Sequence, residues 1–431
     1  MKGLARQLLI LLLSFSTTFL WAQHEGDHSG HDHDAAGHVE STAEEGHADG
    51  HEASGEKKKF NPSPLVMGHI GDAHEFHIWG HLALPLPCIT YEDGHGLSFF
   101  SSSAFHHGTM AYNGYVLDHG VLRKAINFPT REEVQLDVIH TDEEGHEHYV
   151  HTEEIKDAAG KISEHKTIHY QGQTYDLEAS SKIFSASSWI DFSITKNVFT
   201  MLLATILLFV IFFGMKRFYA NNEGKAPRGL TNFMEPFFEF MRDEVVKPSI
   251  GPKWEKYMGL IMSLFFFILA CNLLGLIPFF PGSGNVMGNI SVTIVLALIT
   301  FLVVNLSGNK HYWQHIFWMP NVPVPIKILF IPIELAGLFI KPFTLLIRLF
   351  ANITAGHTII LSLVCLIFIF GDVGQNVGGA SVGAVVATLF VAFMNLLELL
   401  VAFLQAFIFA LLSSLYIGAA VEEHHHEEAH H

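Results

Sequence analysis

Five polar side chains stand where hydrocarbon would surround them: Arg348, Asn352 and His357 in one apolar run, Glu398 and Gln405 in another. The first run reads Lys341-Pro-Phe-Thr-Leu-Leu-Ile-Arg348-Leu-Phe-Ala-Asn352-Ile-Thr-Ala-Gly356-His357 and passes directly into the apolar stretch Thr358 to Phe370. A guanidinium at mid-bilayer costs roughly 2.5 to 3.5 kcal/mol on insertion scales, so a membrane arginine is a functional-site candidate by default. It needs a carboxylate, water or a route to the interface. Histidine and carboxylates pass protons through water, whereas arginine stays charged at any accessible pH and cannot. Protons could therefore approach Arg348 from either side without being relayed through it.

The elements that must position these groups are five hydrophobic segments: Asn197 to Met215, Tyr257 to Ile277, Asn289 to Leu306, Ile326 to Phe370, and Gly383 to Ala419. The last two are too long to cross upright. As a helix, Gly383 to Ala419 extends about 55 Å at 1.5 Å per residue, against about 30 Å of hydrocarbon. It is expected to tilt steeply, by roughly 55° if unbroken. In the penultimate segment Pro332 and Pro342 predict kinks or a portion at the cytoplasmic edge. The glycine-rich Gly371-Asp-Val-Gly-Gln-Asn-Val-Gly-Gly379 joins the two as an outward-facing hairpin loop.

Folding back about position 377 sets Arg348 level with Gln405 and His357 level with Glu398. Glu398 and Gln405 lie two turns apart on one face of the last helix. Asn352 shares a face with Arg348, while Glu334, fourteen residues earlier, projects about 40° away on the cytoplasmic side. His357 falls near the opposite face, toward the outside. Two polar regions result, with Arg348 between them, which is the chemistry of two half-channels divided by a fixed positive charge. A rotor carrying a membrane carboxylate could be loaded from one side, neutralised by Arg348 in passing and unloaded to the other. Taken singly, each residue has a plainer reading: Glu398 bonding a neighbouring helix, His357 as a packing donor, Glu334 and Lys341 at the interface. Matched hairpin levels make the set stronger than its members.

At 431 residues, mean hydropathy +0.31 and 12% aromatic residues, of which Phe supplies 37, the chain reads as a membrane protein with an attached polar region. Its net charge of −17 concentrates before position 180 and after Val421, which excludes nucleic acid as a partner. Three cysteines, Cys88, Cys271 and Cys365, support neither a disulfide framework nor a cysteine zinc site. Lys2 and Arg6, an apolar core from Leu8 to Leu20 and Trp21-Ala22-Gln23 have the order of a signal peptide over residues 1–22; a short uncleaved helix is the alternative. Either way, the polar region after Ala22 is exported. Residues 23–59, rich in Gly, Ala, His, Asp and Glu, cannot bury a core and are expected to be disordered. Residues 60–194 alternate short apolar groups such as Val134 to Ile139 with Asp-Gly and Asn-Gly turns, an irregular β-rich pattern. Residues 195–420 form the membrane part and 421–431 a His/Glu-rich cytoplasmic tail.

Lys216, Arg217, Lys225 and Arg228 after the first span place that end in the cytoplasm, in agreement with an exported N-terminus. Between the first two spans, Thr231 to Lys247 sets Phe233, Met234, Phe237, Phe240, Met241 and Val245 against Glu235, Glu239, Arg242 and Asp243. That is an amphipathic helix, for the cytoplasmic surface or for a partner helix. The fold class is thus an all-α polytopic membrane protein of about five transmembrane helices. The last two form a long tilted hairpin, and an exported β-rich region precedes them all.

These residues carry a resemblance. Lys341-Pro, Leu346-Ile-Arg348-Leu-Phe-Ala-Asn352 and Ala355-Gly356, with Glu398 to Gln405, Asn272-Leu-Leu-Gly-Leu-Ile-Pro278 and Asn289-Ile-Ser-Val-Thr293, resemble the stator subunit a of F-type ATP synthases from about Asn197 to Ala420. The resemblance implies a proton-conducting stator that binds no cofactor and is not itself catalytic. Arg348 would engage the carboxylate of the rotating c-ring, flanked by Asn352 and Gln405. His357 and Glu398 would line the outer access channel, and Glu334 the cytoplasmic exit. Partners would be the c-ring, the peripheral-stalk subunit b, the lipid bilayer and, indirectly, the catalytic sector. The setting would be a bacterial plasma membrane. Gly275 departs from the pattern, since some relatives place an aspartate there; the outer channel would then use Asn272, Ser291 and Asn289.

No G-x-x-x-x-G-K-[ST] phosphate loop occurs, so nucleotide would be bound elsewhere in the complex. A larger departure is that 21 of the 29 histidines lie between His24 and His169. The competing reading is a stand-alone metal transporter with a histidine-rich collector that includes His28, His31, His33 and His38. Their Gly-rich spacing sets no fixed ligand geometry, and a transporter would want ligand pairs in several spans. No metal site is assigned.

Overall fold

The computed structural model describes residues 71–422, apart from 80–81, 142–146, 157–161, 181–186, 278–279, 283, 319–322 and 371–376. The signal-peptide reading, the acidic histidine-rich stretch 23–59, most of the glycine-rich hairpin loop and the tail beyond Glu422 lie outside the described residues.

The N-terminal part is β-structure built from hairpins. Strands β1 (Glu75–Trp79) and β2 (Leu82–Pro85) pair with each other. Strands β3 (Pro87–Glu92) and β4 (Gly96–Ser101) form a hairpin, followed by β5 (Met110–Tyr112), β6 (Tyr115–Asp118), β7 (Val121–Ala125) and β8 (Val134–Gln135). After the short pair β9 (His140–Thr141) and β10 (Glu147–His148) come β11 (Val150–Lys156), β12 (Ile162–Tyr170), β13 (Gln173–Glu178) and β14 (Trp189–Asp191). Seven strands make an antiparallel sheet in the order β11-β12-β13-β7-β6-β5-β8, and β14-β3-β4 make a second. Two-residue turns whose central residues both have positive φ match strand twist. Asn113-Gly114 supplies one such turn between β5 and β6, with φ of 53° and 79°. Strand β6 is buried throughout: Tyr115 and Leu117 enter one core with Phe105, Leu122 and Trp189, and Val116 enters a second with Ala111, Leu136 and Ile168. Period-two side chains feeding a core on each face explain why this strand lacks polar alternation.

Among the described residues, five helical stretches are long and apolar enough to cross a membrane. They contain α1 (Lys196–Asn221), α3 (Trp254–Gly275), α4 (Ile290–Ser307), α6 (Val324–Phe370) and α7 (Val377–Val421). Helix α2 (Leu230–Phe240) runs through a π-helical segment, Met241–Val246, toward α3, and the short α5 (Lys310–Phe317) precedes α6. The apolar face of α2 meets a helix of its own chain. Met234, Met241 and Val245 are buried in the same core as α3, and Phe237 and Phe240 pack at 6.2 and 5.8 Å on Phe403 and Phe407 of α7.

Helix α6 runs on as continuous helix through Pro332 and Pro342. Its 47 residues span about 70 Å at 1.5 Å per residue. Burial sets α6 apart from the other spans. The most apolar window of the α2–α3 stretch is 78% buried, that of α6 only 11%. An apolar surface this exposed belongs against lipid or other helices.

Candidate functional site

Helices α6 and α7 pack antiparallel, and one register holds along them. A Cβ added at Gly383 would meet Phe370 at 3.0 Å, His357 Nδ1 stands 3.7 Å from Glu398 Oε1, and Lys341 Nζ lies 5.6 Å from the Tyr416 ring centroid. His357 and Glu398 are thus brought together, at a separation longer than a hydrogen bond. Glu398 is 5% exposed, and neither carboxylate oxygen has a hydrogen-bond partner among the described residues. Leaving a buried carboxylate without a hydrogen-bonding companion is costly, so the position calls for one from outside these side chains.

A pocket of about 240 Å³ opens at this pair. Asn272, Gly275, Asn285 and Cys271 line it together with His357 and Glu398. Asn272 donates through Nδ2 to the Ala402 carbonyl at 3.1 Å, while its Oδ1 and the Nδ2 of Asn285 have no hydrogen-bond partner among the described residues. Asn289 and Ser291 lie apart from the lining: Asn289 caps the start of α4, accepting from Ser291 N at 3.0 Å. A Cβ at Gly275 would crowd Gly284 O at 3.0 Å and meet His357 Nε2 at an ordinary contact distance of 3.8 Å, so an aspartate there would shift the α3–α4 connection slightly. At Gly356 the approach is closer still, since a Cβ would come within 2.9 Å of Glu398 Oε1. Gly356→Ala is therefore expected to push the carboxylate off its position and lower proton conduction about tenfold, at normal assembly. Vesicle proton-flux measurements check this, and a wild-type rate would show that Glu398 tolerates the shift.

Arg348 is half-buried on α6, between Lys341 and His357 along the helix. Among the described residues it has no ion pair and no hydrogen bond. Asn352, one turn on, is exposed, and Gln405 is buried on α7; neither is hydrogen-bonded to Arg348. Exposed apolar side chains surround this surface, Phe343 and Ile347 on α6 and Leu396 and Leu400 on α7 among them.

At the other end of the hairpin a second pocket, about 260 Å³, is lined by Thr300, Asn305, Tyr312, Lys341, Pro342 and Tyr416. Glu334 is half-buried and within electrostatic range of Tyr312, whose buried hydroxyl has no hydrogen-bond partner among the described residues. Sequence reasoning missed Tyr416, Tyr312, Asn305 and Asn285. Tyr416 had a signal: it follows Glu398 by eighteen residues, five whole turns, and so continues the Glu398 face. Among the described residues no group of three or more His, Cys, Asp or Glu side chains is placed to hold a metal ion.

The family model described as ATP synthase A chain matches residues 198–418. That span holds both pockets and the arginine between them. The chain belongs to the ATP synthase A chain family. Similar relatives include an ATP synthase subunit a of Chloroherpeton thalassium, 43% identical over 245 residues, which are 56% of this chain and 70% of the relative. Another, from Pelodictyon phaeoclathratiforme, is 42% identical over 245 residues, 56% of this chain and 68% of the relative. Like the rest of the ATP synthase A chain family, this chain is an ion-translocating membrane subunit and not a catalyst in itself. Residues 65–192 match a different model, described as a domain of unknown function.

Proposed function

We propose that this chain is the proton-conducting stator of an ATP synthase membrane sector, with two half-channels that meet at Arg348. The carrying observation is the arrangement on one helix hairpin: a polar pocket at His357 and Glu398, another at Lys341 and Tyr416, and an arginine without a carboxylate between them. Protons enter the first pocket, where His357, Glu398 and Asn272 offer exchangeable or hydrogen-bonding groups. They leave past Tyr416 and Glu334. Arg348 keeps the two from short-circuiting because it holds its charge at any accessible pH.

Its neutralising partner comes from another chain. A ring of helices bearing carboxylates fits the exposed apolar face of α6 and α7, with Asn352 and Gln405 flanking the contact. The catalytic sector is reached indirectly and the stalk subunit b is the fixed neighbour. In this reading the protein sits in a bacterial plasma membrane, the β-region on the exported side and the C-terminus in the cytoplasm. Purification of the native complex from membranes is the test. A ring of small helical subunits and a nucleotide-hydrolysing sector are expected to copurify with this chain, and its isolation without them under conditions that preserve ATP synthase would overturn the assignment.

A further inference from the structure

The β-region is joined to the membrane helices through ionisable groups as well as aromatic contacts. Asp72 accepts from Thr195 Oγ1 at 2.8 Å and from Asn197 N at 3.0 Å, which ties it to the first turn of α1. Lys196 N donates to the Ala73 carbonyl at 2.8 Å. His74, 4% exposed, bridges the Gly120 carbonyl at 2.9 Å and Asp191 Oδ2 at 3.0 Å. Glu75, buried beside it, meets His107 at 3.2 Å, and His107 is 41% exposed at its side chain. Cys88 faces the same seam near Asp191 and Glu75; burial pushes its thiol up to about 12, so it stays uncharged.

This seam reaches the pocket. The Phe76 ring packs edge-on against Phe199 of α1 at 5.4 Å and Phe280 at 5.5 Å. Phe280 belongs to the α3–α4 connection, which goes on to line the pocket with Gly284 and Asn285. Lys196, 6% exposed, is within electrostatic range of both Asp72 and His357. Ionisable groups thus lie along the seam from His107 at the surface to Lys196, whose charge is felt at His357 beside Glu398.

Packing alone does not call for this. Burying charge is expensive even when paired, and apolar replacements of similar volume are often as stable or better. Buried titratable clusters beside a cleft are candidates for function.

We propose that the seam is the proton-loading site of the outer half-channel, with Asp72 and His74 exchanging protons with the exported side and Lys196 as the positioning cation between Asp72 and His357. An incoming proton adds to an Asp72 oxygen and leaves it for water in the pocket, which restores the carboxylate; no other bond changes. Burial is the largest influence on Asp72 and pushes its carboxyl up, against its bonds from Asn197 and Thr195 and the nearby Lys196 charge. For His74 burial acts downward, and the Asp191 carboxylate outweighs it to hold the imidazole above its ordinary value. Both groups therefore keep a proton to higher pH than free side chains do.

The inference rests on the pocket at Glu398 being the outer one, so both are tested together in the full complex. Vesicles holding the membrane sector freed of the catalytic sector, with the exported face outward, are driven by a potassium diffusion potential, and inward proton flux from the exported side is read at outer pH 6 and 8. Asp72→Asn is expected to lower flux about tenfold at pH 8 and less at pH 6, with Asp72→Glu restoring most of it. Wild-type flux in Asp72→Asn, or an equal loss at both pH values that Asp72→Glu does not rescue, overturns the loading site. Should Asp72→Asn not assemble, His74→Gln reads the same pH-dependent loss, and its absence overturns the proposal. Glu398→Gln separates the two readings. Flux lost there but kept in Asp72→Asn removes only the loading site, whereas normal flux in Glu398→Gln removes the outer pocket and the loading site with it.

Discussion

Arg348→Ala is expected to abolish ATP-driven proton pumping in membrane vesicles while the complex still assembles. The size of the effect follows from what Arg348 lacks. Among the described residues it has no ion pair or hydrogen bond, so alanine breaks neither within the fold. A charge held near hydrocarbon at a cost of roughly 2.5 to 3.5 kcal/mol is retained for its interaction with something outside this chain. Without it, nothing permanently charged separates the pocket at His357 from the one at Tyr416, and a carboxylate passing between them meets no cation. Passive proton leak through the stripped membrane sector is expected to persist or rise as pumping falls. Pumping is read by quenching of a pH-sensitive dye on ATP addition, and assembly by copurification. Normal pumping in this variant would remove Arg348 from the rotor contact.

Glu398→Gln is expected to lower proton flux through the membrane sector at least about tenfold, equivalent to roughly 1.4 kcal/mol or more on the transfer barrier. Glutamine matches the carboxylate in size and can donate and accept hydrogen bonds, but it cannot take up and release a proton in this range. Both Glu398 oxygens are buried without a hydrogen-bond partner among the described residues, so the neutral amide is tolerated at least as well as an ionised carboxylate. A flux defect at unchanged assembly would thus reflect proton handling. Equal flux in variant and wild type would instead leave Glu398 as a helix-packing residue.

The residues of the candidate site were legible because hydrocarbon makes polar side chains conspicuous. Arg348, His357, Glu398 and Gln405 stand out in apolar runs, and the glycine-rich connection after Phe370 marks where the chain folds back. Antiparallel register then pairs His357 with Glu398, which the structure holds at 3.7 Å. Tyr416 escaped notice because aromatic residues are common in membrane helices, although its spacing from Glu398 puts it on the same face. Asn285 lay beyond reach for a different reason: it sits in the α3–α4 connection, whose path no periodicity describes, and only packing brings it to the pocket. The amphipathic pattern of Thr231 to Lys247 allowed either a membrane surface or a partner helix. The rings of Phe237 and Phe240 reach α7 of the same chain, while Leu230 and Phe233 stay exposed, as they would on a membrane-surface helix.

By itself the sequence determined the membrane class, five apolar spans, the hairpin and the polar residues on it, because hydropathy and helical period are local properties of the chain. Only the tertiary structure decided that Asn272 and Asn285 join His357 and Glu398 in one pocket, that Tyr312 and Tyr416 join Lys341 in another, and that Gly356 leaves the space Glu398 occupies. The same holds for the join between the β-region and α1, where Asp72 and Thr195 are far apart in sequence yet 2.8 Å apart in space. Contacts between distant segments depend on how whole elements pack, which no local pattern of residues encodes.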